Sequence, residues 1–214
     1  MQKLVREQGR NIRPRRVGVR PPSRSGFRNL MKKETERQKP KGLLDYLSLA
    51  VTTCGVGYLP LAPGTWGSLL AVGFYALLAS AFGSFRYTPS MAPPEFKIAA
   101  IHALILIVFL LFILLGIWSA GRSTELLGNS DPSEAVVDEV IGQLIVFLFI
   151  PFTSSWLLIG AGFILFRLFD IWKPYPIDYL QGLPAGIGVC ADDILAGVYA
   201  GICLSVIYAV SLSI

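Results

Sequence analysis

The sequence predicts an all-α fold: a compact helical membrane protein with about four or five hydrophobic helices, including a helical hairpin around Pro151. Three observations predict it. The 214 residues are 53% hydrophobic and 15% charged, with mean hydropathy +0.58, too apolar for an ordinary soluble domain. Charge is segregated, residues 1–41 carrying +11 and residues 42–214 carrying −6. Long apolar runs punctuate the acidic part, the clearest being Ala99 to Trp118, where His102 is the one polar side chain. At 1.5 Å per residue such a run crosses a hydrocarbon core of about 30 Å.

Two parts follow from the charge: a basic N-terminal tail (1–41) and a helical membrane domain (42–214). The tail has prolines and arginines but little to bury, so disorder is expected; it reads as a solvated extension or as a segment able to touch anionic lipid headgroups. No nucleic-acid partner is expected, and no signal peptide is visible. Cys54, Cys190 and Cys203 form no CxxC pair and read as reduced thiols.

Along the domain, Leu43 to Thr53 reads as a short helix at the interface or packed on the others. "GVGYLPLAPGTWGS" (55–68) is an uncharged loop with four glycines and two prolines, followed by a span from Gly67 to Phe82 anchored by Trp66 and Tyr75. After Ala99 to Trp118, the stretch from Val140 to Phe169 is too long for one ordinary span and is broken by Pro151 and Thr153-Ser154-Ser155. Ile194 to Leu212 is the last span. If the tail is cytoplasmic, the motif loops share its side and Ser84 to Lys97 faces outward.

The carboxylates decide how Val140 to Phe169 folds. Seven of the domain's eleven acidic residues fall in three clusters beside apolar segments: "DPSEAVVDE" (Asp131, Glu134, Asp138, Glu139), "FRLFDIWKP" (Asp170) and "CADDILAG" (Asp192, Asp193). Acids at a membrane helix are costly unless protonated, paired or bound to a cation. A hard divalent cation such as Mg²⁺ takes oxygen ligands and suits them. Such a site needs the clusters on one face, hence a hairpin turning near Pro151, with arms of about 12 and 15 residues tolerated where other helices cover them.

Simpler roles compete at each cluster. Asp131 as N-cap with Pro132 and Glu134 makes a helix start. Asp138 and Glu139 lie beyond capping, though Arg122 or Arg167 could pair with them. Arg167, Asp170 and Lys173, spaced i, i+3, i+6, form a salt-bridge ladder or, beside a metal, one ligand and two cations that grip phosphate. Asp192 and Asp193 could cap the last helix, but one would suffice. "APGTWGS" at a helix N-terminus offers free N–H groups to an anion, with Thr65 and Ser68 adding hydroxyls; a turn capped by Thr65 is the alternative.

"GVGYLPLAPGTWGS", "AVVDEVIGQ", "FRLFDIWKPYPID" and "GIGVCADDILAGVYAG" together resemble the signature regions of the phosphatidylglycerophosphatase A family, in order, across roughly residues 44 to 210. Gln143 departs from the apolar residue expected after "DEVIG", and the basic tail is outside the pattern. The resemblance implies an all-helical, Mg²⁺-dependent phosphatase at the cytoplasmic face of a bacterial inner membrane. Its substrate would be the membrane lipid phosphatidylglycerophosphate, released as phosphatidylglycerol and orthophosphate. Asp138, Glu139, Asp170, Asp192 and Asp193 are then expected to hold Mg²⁺ directly or through water, one of them positioning the attacking water. Arg167, Lys173 and the Thr65, Gly67 and Ser68 segment are expected to hold the phosphate. No DxDx[TV] or CxxxxxR signature is present, which favours direct attack by water over a covalent intermediate. The alternative is a small ion or metal transporter with acids lining a pathway, but a pathway wants ionisable groups at mid-helix depth and these cluster near helix ends.

Overall fold

The computed structural model describes residues 37–85, 95–129, 132–153 and 155–213, and every regular element among them is helical. In chain order these are α1 (Leu43–Thr53), α2 (Pro63–Phe85), α3 (Glu95–Leu127), α4 (Val137–Phe147), α5 (Trp156–Trp172), the single turn α6 (Ile177–Leu180) and α7 (Ala185–Ser211). Three hold stretches long and apolar enough to cross a bilayer: Pro63–Ala81, Ala99–Leu127 and Ala185–Ser211. On α3, Leu104, Ile107, Val108, Leu110, Leu111 and Leu114 are all exposed. A helix so apolar on its outer faces belongs in lipid, and the protein is membrane-associated.

The hairpin forms. Its arms are α4, 11 residues, and α5, 17 residues, so α4 spans only about 16 Å and falls short of a bilayer. Both arms return to one end of the bundle, since Glu139 of α4 and Arg167 of α5 lie against the same residue, Gly64 of α2. Tyr75 fastens the turn. Its ring stacks on Phe147 at 4.1 Å between centroids, and its hydroxyl accepts the Thr153 N–H at 3.1 Å. Tyr75 is therefore a buried core residue rather than an interfacial anchor, because the hairpin covers it. Trp66 is 40% exposed and donates its ring N–H to the Pro60 carbonyl.

Several helix ends differ from expectation. α4 starts at Val137, not at Pro132, because residues 132–135 close a turn of their own and the Val136 N–H donates to the Thr52 carbonyl at 2.9 Å. Glu134 consequently lies before α4 and not in its first turn; it pairs with Arg37 at 2.6 Å. Asp131 lies outside the described residues. α7 starts at Ala185 rather than Ile194, after Pro184 in extended conformation, so Asp192 and Asp193 sit inside the helix and cannot cap it. The small residues of "AGIGVCA" stay helical because they are packing surface: a Cβ on Gly186 would strike the Ile117 carbonyl and the Gly121 backbone of α3. α2 starts at Pro63, which places Thr65 in its first turn and not at the cap.

The described end of the tail is tied down. The Gln38 N–H donates to the Leu126 carbonyl at 3.0 Å and the Lys41 N–H to Asp45 Oδ2 at 2.9 Å. Residues 1–36 and the centre of the Ser84 to Lys97 loop lie outside the described residues. Arg122 does not reach Asp138 or Glu139; it grips Asp45 through Nε and Nη2, at 3.0 and 2.8 Å, and Glu125 through Nη1 at 3.0 Å. The Lys41 N–H, and then Arg122, hold the Asp45 carboxyl below the usual carboxylate range. A carboxyl depressed by folding adds stability above its unfolded pKa and loses it as pH falls through the folded value. Thermal melts should therefore place Asp45→Asn below the unsubstituted protein at neutral pH. The two curves should converge as pH drops below the ordinary aspartate pKa of about 3.9.

Candidate functional site

The site is assembled by two glycines. Asp138 and Gly142 lie one turn apart on α4, and Asp193 and Gly197 one turn apart on α7. A Cβ on Gly197 would strike the Gly142 carbonyl oxygen, and one on Gly142 would come within 2.6 Å of the Asp193 carbonyl oxygen. Backbone therefore lies on backbone, and the aspartate one turn ahead of each glycine is carried to the same place. Asp138, Glu139 and Asp193 each present a carboxylate oxygen, and the three oxygens lie within 4.8 Å of one another.

Around this trio the other acids are arranged differently. Asp170 lies 2.7 Å from Arg167 Nη1 and 3.8 Å from Lys173 Nζ, so the predicted ladder along α5 exists. Asp192 lies 2.6 Å from Lys173 Nζ and accepts a hydrogen bond from Gln181 Nε2 at 3.0 Å. Burial works against the Lys173 charge, but the carboxylates around it, Asp192 first and then Asp193 and Asp170, together hold the lysine above its ordinary pKa. Lys173 is the left-handed C-cap of α5, φ 45°, with its N–H on the Phe169 carbonyl at 2.8 Å. That conformation turns the chain out of the helix towards α6.

The charge count is decisive. Two cations offset Asp170 and Asp192, whereas among the described residues Asp138, Glu139 and Asp193 have no ion pair. Asp138 Oδ1 and Glu139 Oε2 are buried and accept no hydrogen bond. Three carboxylates so close cannot all be ionised without a cation among them. An all-oxygen, acid-rich donor set with unused lone pairs fits a hard divalent ion such as Mg²⁺.

The N-terminus of α2 closes the site. A Cβ on Gly64 would strike Glu139 Oε1 and come within 3.3 Å of Arg167 Nη1; one on Gly67 would come within 2.9 Å of Val136. These glycines let α2 approach the acids. Ser68 is fully buried and donates its hydroxyl to the Gly64 carbonyl at 3.0 Å, while Thr65 is half-buried in the first turn. Thus the ten expected site residues lie on four helix segments at one end of the bundle: three acids in one cluster, two in cation pairs beside it.

This is a helical membrane protein in which clustered acids, two cations and a helix N-terminus meet at one end of the bundle, an arrangement with the chemistry to accept an anion and a divalent cation. Comparison with known proteins makes this specific. The chain belongs to the phosphatidylglycerophosphatase A family, which it matches over residues 49–208, and it is an enzyme of the phosphatase class. It is 36% identical to the phosphatidylglycerophosphatase A of Haemophilus influenzae, over 78% of this chain and 91% of that one. It is 34% identical to the Escherichia coli protein of the same name, over 67% and 73%. A Bacteroides thetaiotaomicron protein provisionally named a phosphatidylinositol-3-phosphatase is 38% identical, over 72% and 89%. No solved structure matches the chain.

Proposed function

We propose that this protein hydrolyses the phosphomonoester of phosphatidylglycerophosphate to phosphatidylglycerol and orthophosphate, in a Mg²⁺-dependent reaction at the cytoplasmic face of a bacterial inner membrane. The observation that carries the reading is the uncompensated trio Asp138, Glu139 and Asp193 beside Arg167 and Lys173. Family membership supports the lipid, and the names of the relatives share a lipid phosphomonoester as substrate.

Asp138, Glu139 and Asp193 would hold the ion. Bound there, Mg²⁺ supplies positive charge against the phosphoryl oxygens and eases the deprotonation of water. Arg167 and Lys173 bind the remaining phosphoryl oxygens, a fork and a point charge held in place by Asp170, Asp192 and Gln181. The amides at the start of α2, with Thr65, receive the anion at the positive end of the helix. One cluster carboxylate takes a proton of the attacking water as the P–O bond to the lipid glycerol breaks, and that proton passes, through the carboxylate or solvent water, to the leaving alkoxide, so that the products are the lipid alcohol and orthophosphate. The acyl chains stay in lipid, since the site lies at one end of the spans.

Phosphate release from phosphatidylglycerophosphate by the purified protein in mixed micelles tests this. Release should require Mg²⁺, stop with EDTA and resume when Mg²⁺ is restored. Undiminished release in EDTA would remove the metal from the mechanism. Ion flux in proteoliposomes without hydrolysis would favour the transporter reading instead.

A further inference from the structure

Gln143 is fully buried on α4, yet neither its amide nitrogen nor its amide oxygen has a hydrogen-bond partner among the described residues. A buried amide left unpaired is costly. What surrounds Gln143 gives the cost a purpose. Glu139, Gln143 and Phe147 form one stripe along α4, and α2 covers it: Gly67 meets Glu139 and the preceding Val136 at one end, Tyr75 stacks on Phe147 at the other. That register sets Gln143 opposite Ala71, one turn further along than Ser68. Both Ala71 and Ser68 are fully buried. Ala71 carries only a methyl group, the Ser68 hydroxyl can still accept after donating to Gly64, and Glu139 Oε2, one turn before Gln143, is buried with no donor among the described residues.

We infer that Gln143 is a positioning residue, which with Ser68 holds buried water against Glu139 Oε2 and so fixes that carboxylate in the site. The water accepts from Gln143 Nε2 and donates to Glu139 Oε2 and Ser68 Oγ, which gives three of these buried groups a partner and leaves Gln143 Oε1 without a donor among the described residues. Ser68 then supports the site from below instead of touching phosphate. Gln143 touches neither substrate nor metal and acts through Glu139. This rests on the functional reading above, and it deepens it with a role for a residue on the covered side of the cluster.

The test compares steady-state phosphate release and thermal melting for Gln143→Met, Gln143→Leu, Ser68→Ala and the double variant Gln143→Met/Ser68→Ala. Methionine keeps length and volume without the amide, which guards against loss of fold. Expected results are kcat down about 10-fold for either substitution at position 143, the scale seen when groups behind a metal site are removed. KM should stay within about twofold, melting should be unchanged or raised, and the Ser68→Ala effect should be non-additive with that of Gln143→Met. Unchanged kcat in Gln143→Met with a raised melting temperature would show a merely misplaced amide and overturn the inference. Additive effects, or a rise in KM for Ser68→Ala, would return Ser68 to the phosphate and overturn it as well. Absence of hydrolysis by the unsubstituted protein would overturn the functional reading and this inference together, whereas hydrolysis unaffected by Gln143→Met overturns this inference alone.

Discussion

Asp193→Asn is expected to lower Mg²⁺-dependent phosphate release by about 10²-fold to 10³-fold, the range found when a single preorganised electrostatic contact is removed from an active site. Its stability should move the other way. Asp193 sits within 4.8 Å of two other acids, buried, with no cation of its own among the described residues. Asparagine keeps the shape and removes one of three crowded acids that cannot all ionise without a cation, so in EDTA the variant should melt at or above the temperature of the unsubstituted protein. With Mg²⁺ the order should reverse, because the ion stabilises only the protein that binds it well. A structural aspartate would behave oppositely: losing it would lower melting in EDTA and touch activity only through unfolding. Phosphate release and melting, each with and without Mg²⁺, separate the two.

Gly197→Ala should be nearly as damaging, with no change of charge at all. The added methyl would strike the Gly142 carbonyl oxygen, with the Gly142 carbonyl carbon and Cα at 3.0 and 3.2 Å, and all three are backbone atoms that no rotamer change can move. α4 and α7 must separate, at a cost of about 1–3 kcal/mol for overpacking. Separation also parts Asp138 from Asp193, and a displacement of about 1 Å in a reacting constellation is worth roughly 10²-fold in rate. Gly160→Ala is the control. Nothing lies within 4 Å of a Cβ there, and alanine is the better helix former, so stability and rate should hold or rise slightly. Equal behaviour of the two variants would mean that the glycine crossing does not position the acids.

Much of this was legible in the sequence, and the limits have physical causes. The hairpin was legible because acids before and after it needed one another, and α4 and α5 do return to one end. Helix ends were read less well. "DPSE" has the composition of a capping box, but the backbone of residues 132–136 is claimed by Thr52 and by contact with Gly57, a tertiary pairing that local pattern cannot express. The last span is expected from Ile194, yet "AGIGVCA" before it is helical as well, because apolar length does not count the packing that close approach of small residues allows. The crossing did leave a trace that passed unread: "DEVIG" and "DILAG" are both an aspartate followed four residues later by glycine. Gln181 left none, being one amide in a turn, placed on Asp192 only by the fold.

Mn²⁺ binding followed by electron paramagnetic resonance tests the central claim most directly, since Mn²⁺ accepts the same oxygen-rich sites as Mg²⁺. The purified protein should show one saturable site per chain, displaced by Mg²⁺, and both Asp138→Asn and Asp193→Asn should weaken it by about 10-fold or more. Either variant binding Mn²⁺ as tightly as the unsubstituted protein would contradict a metal held between α4 and α7.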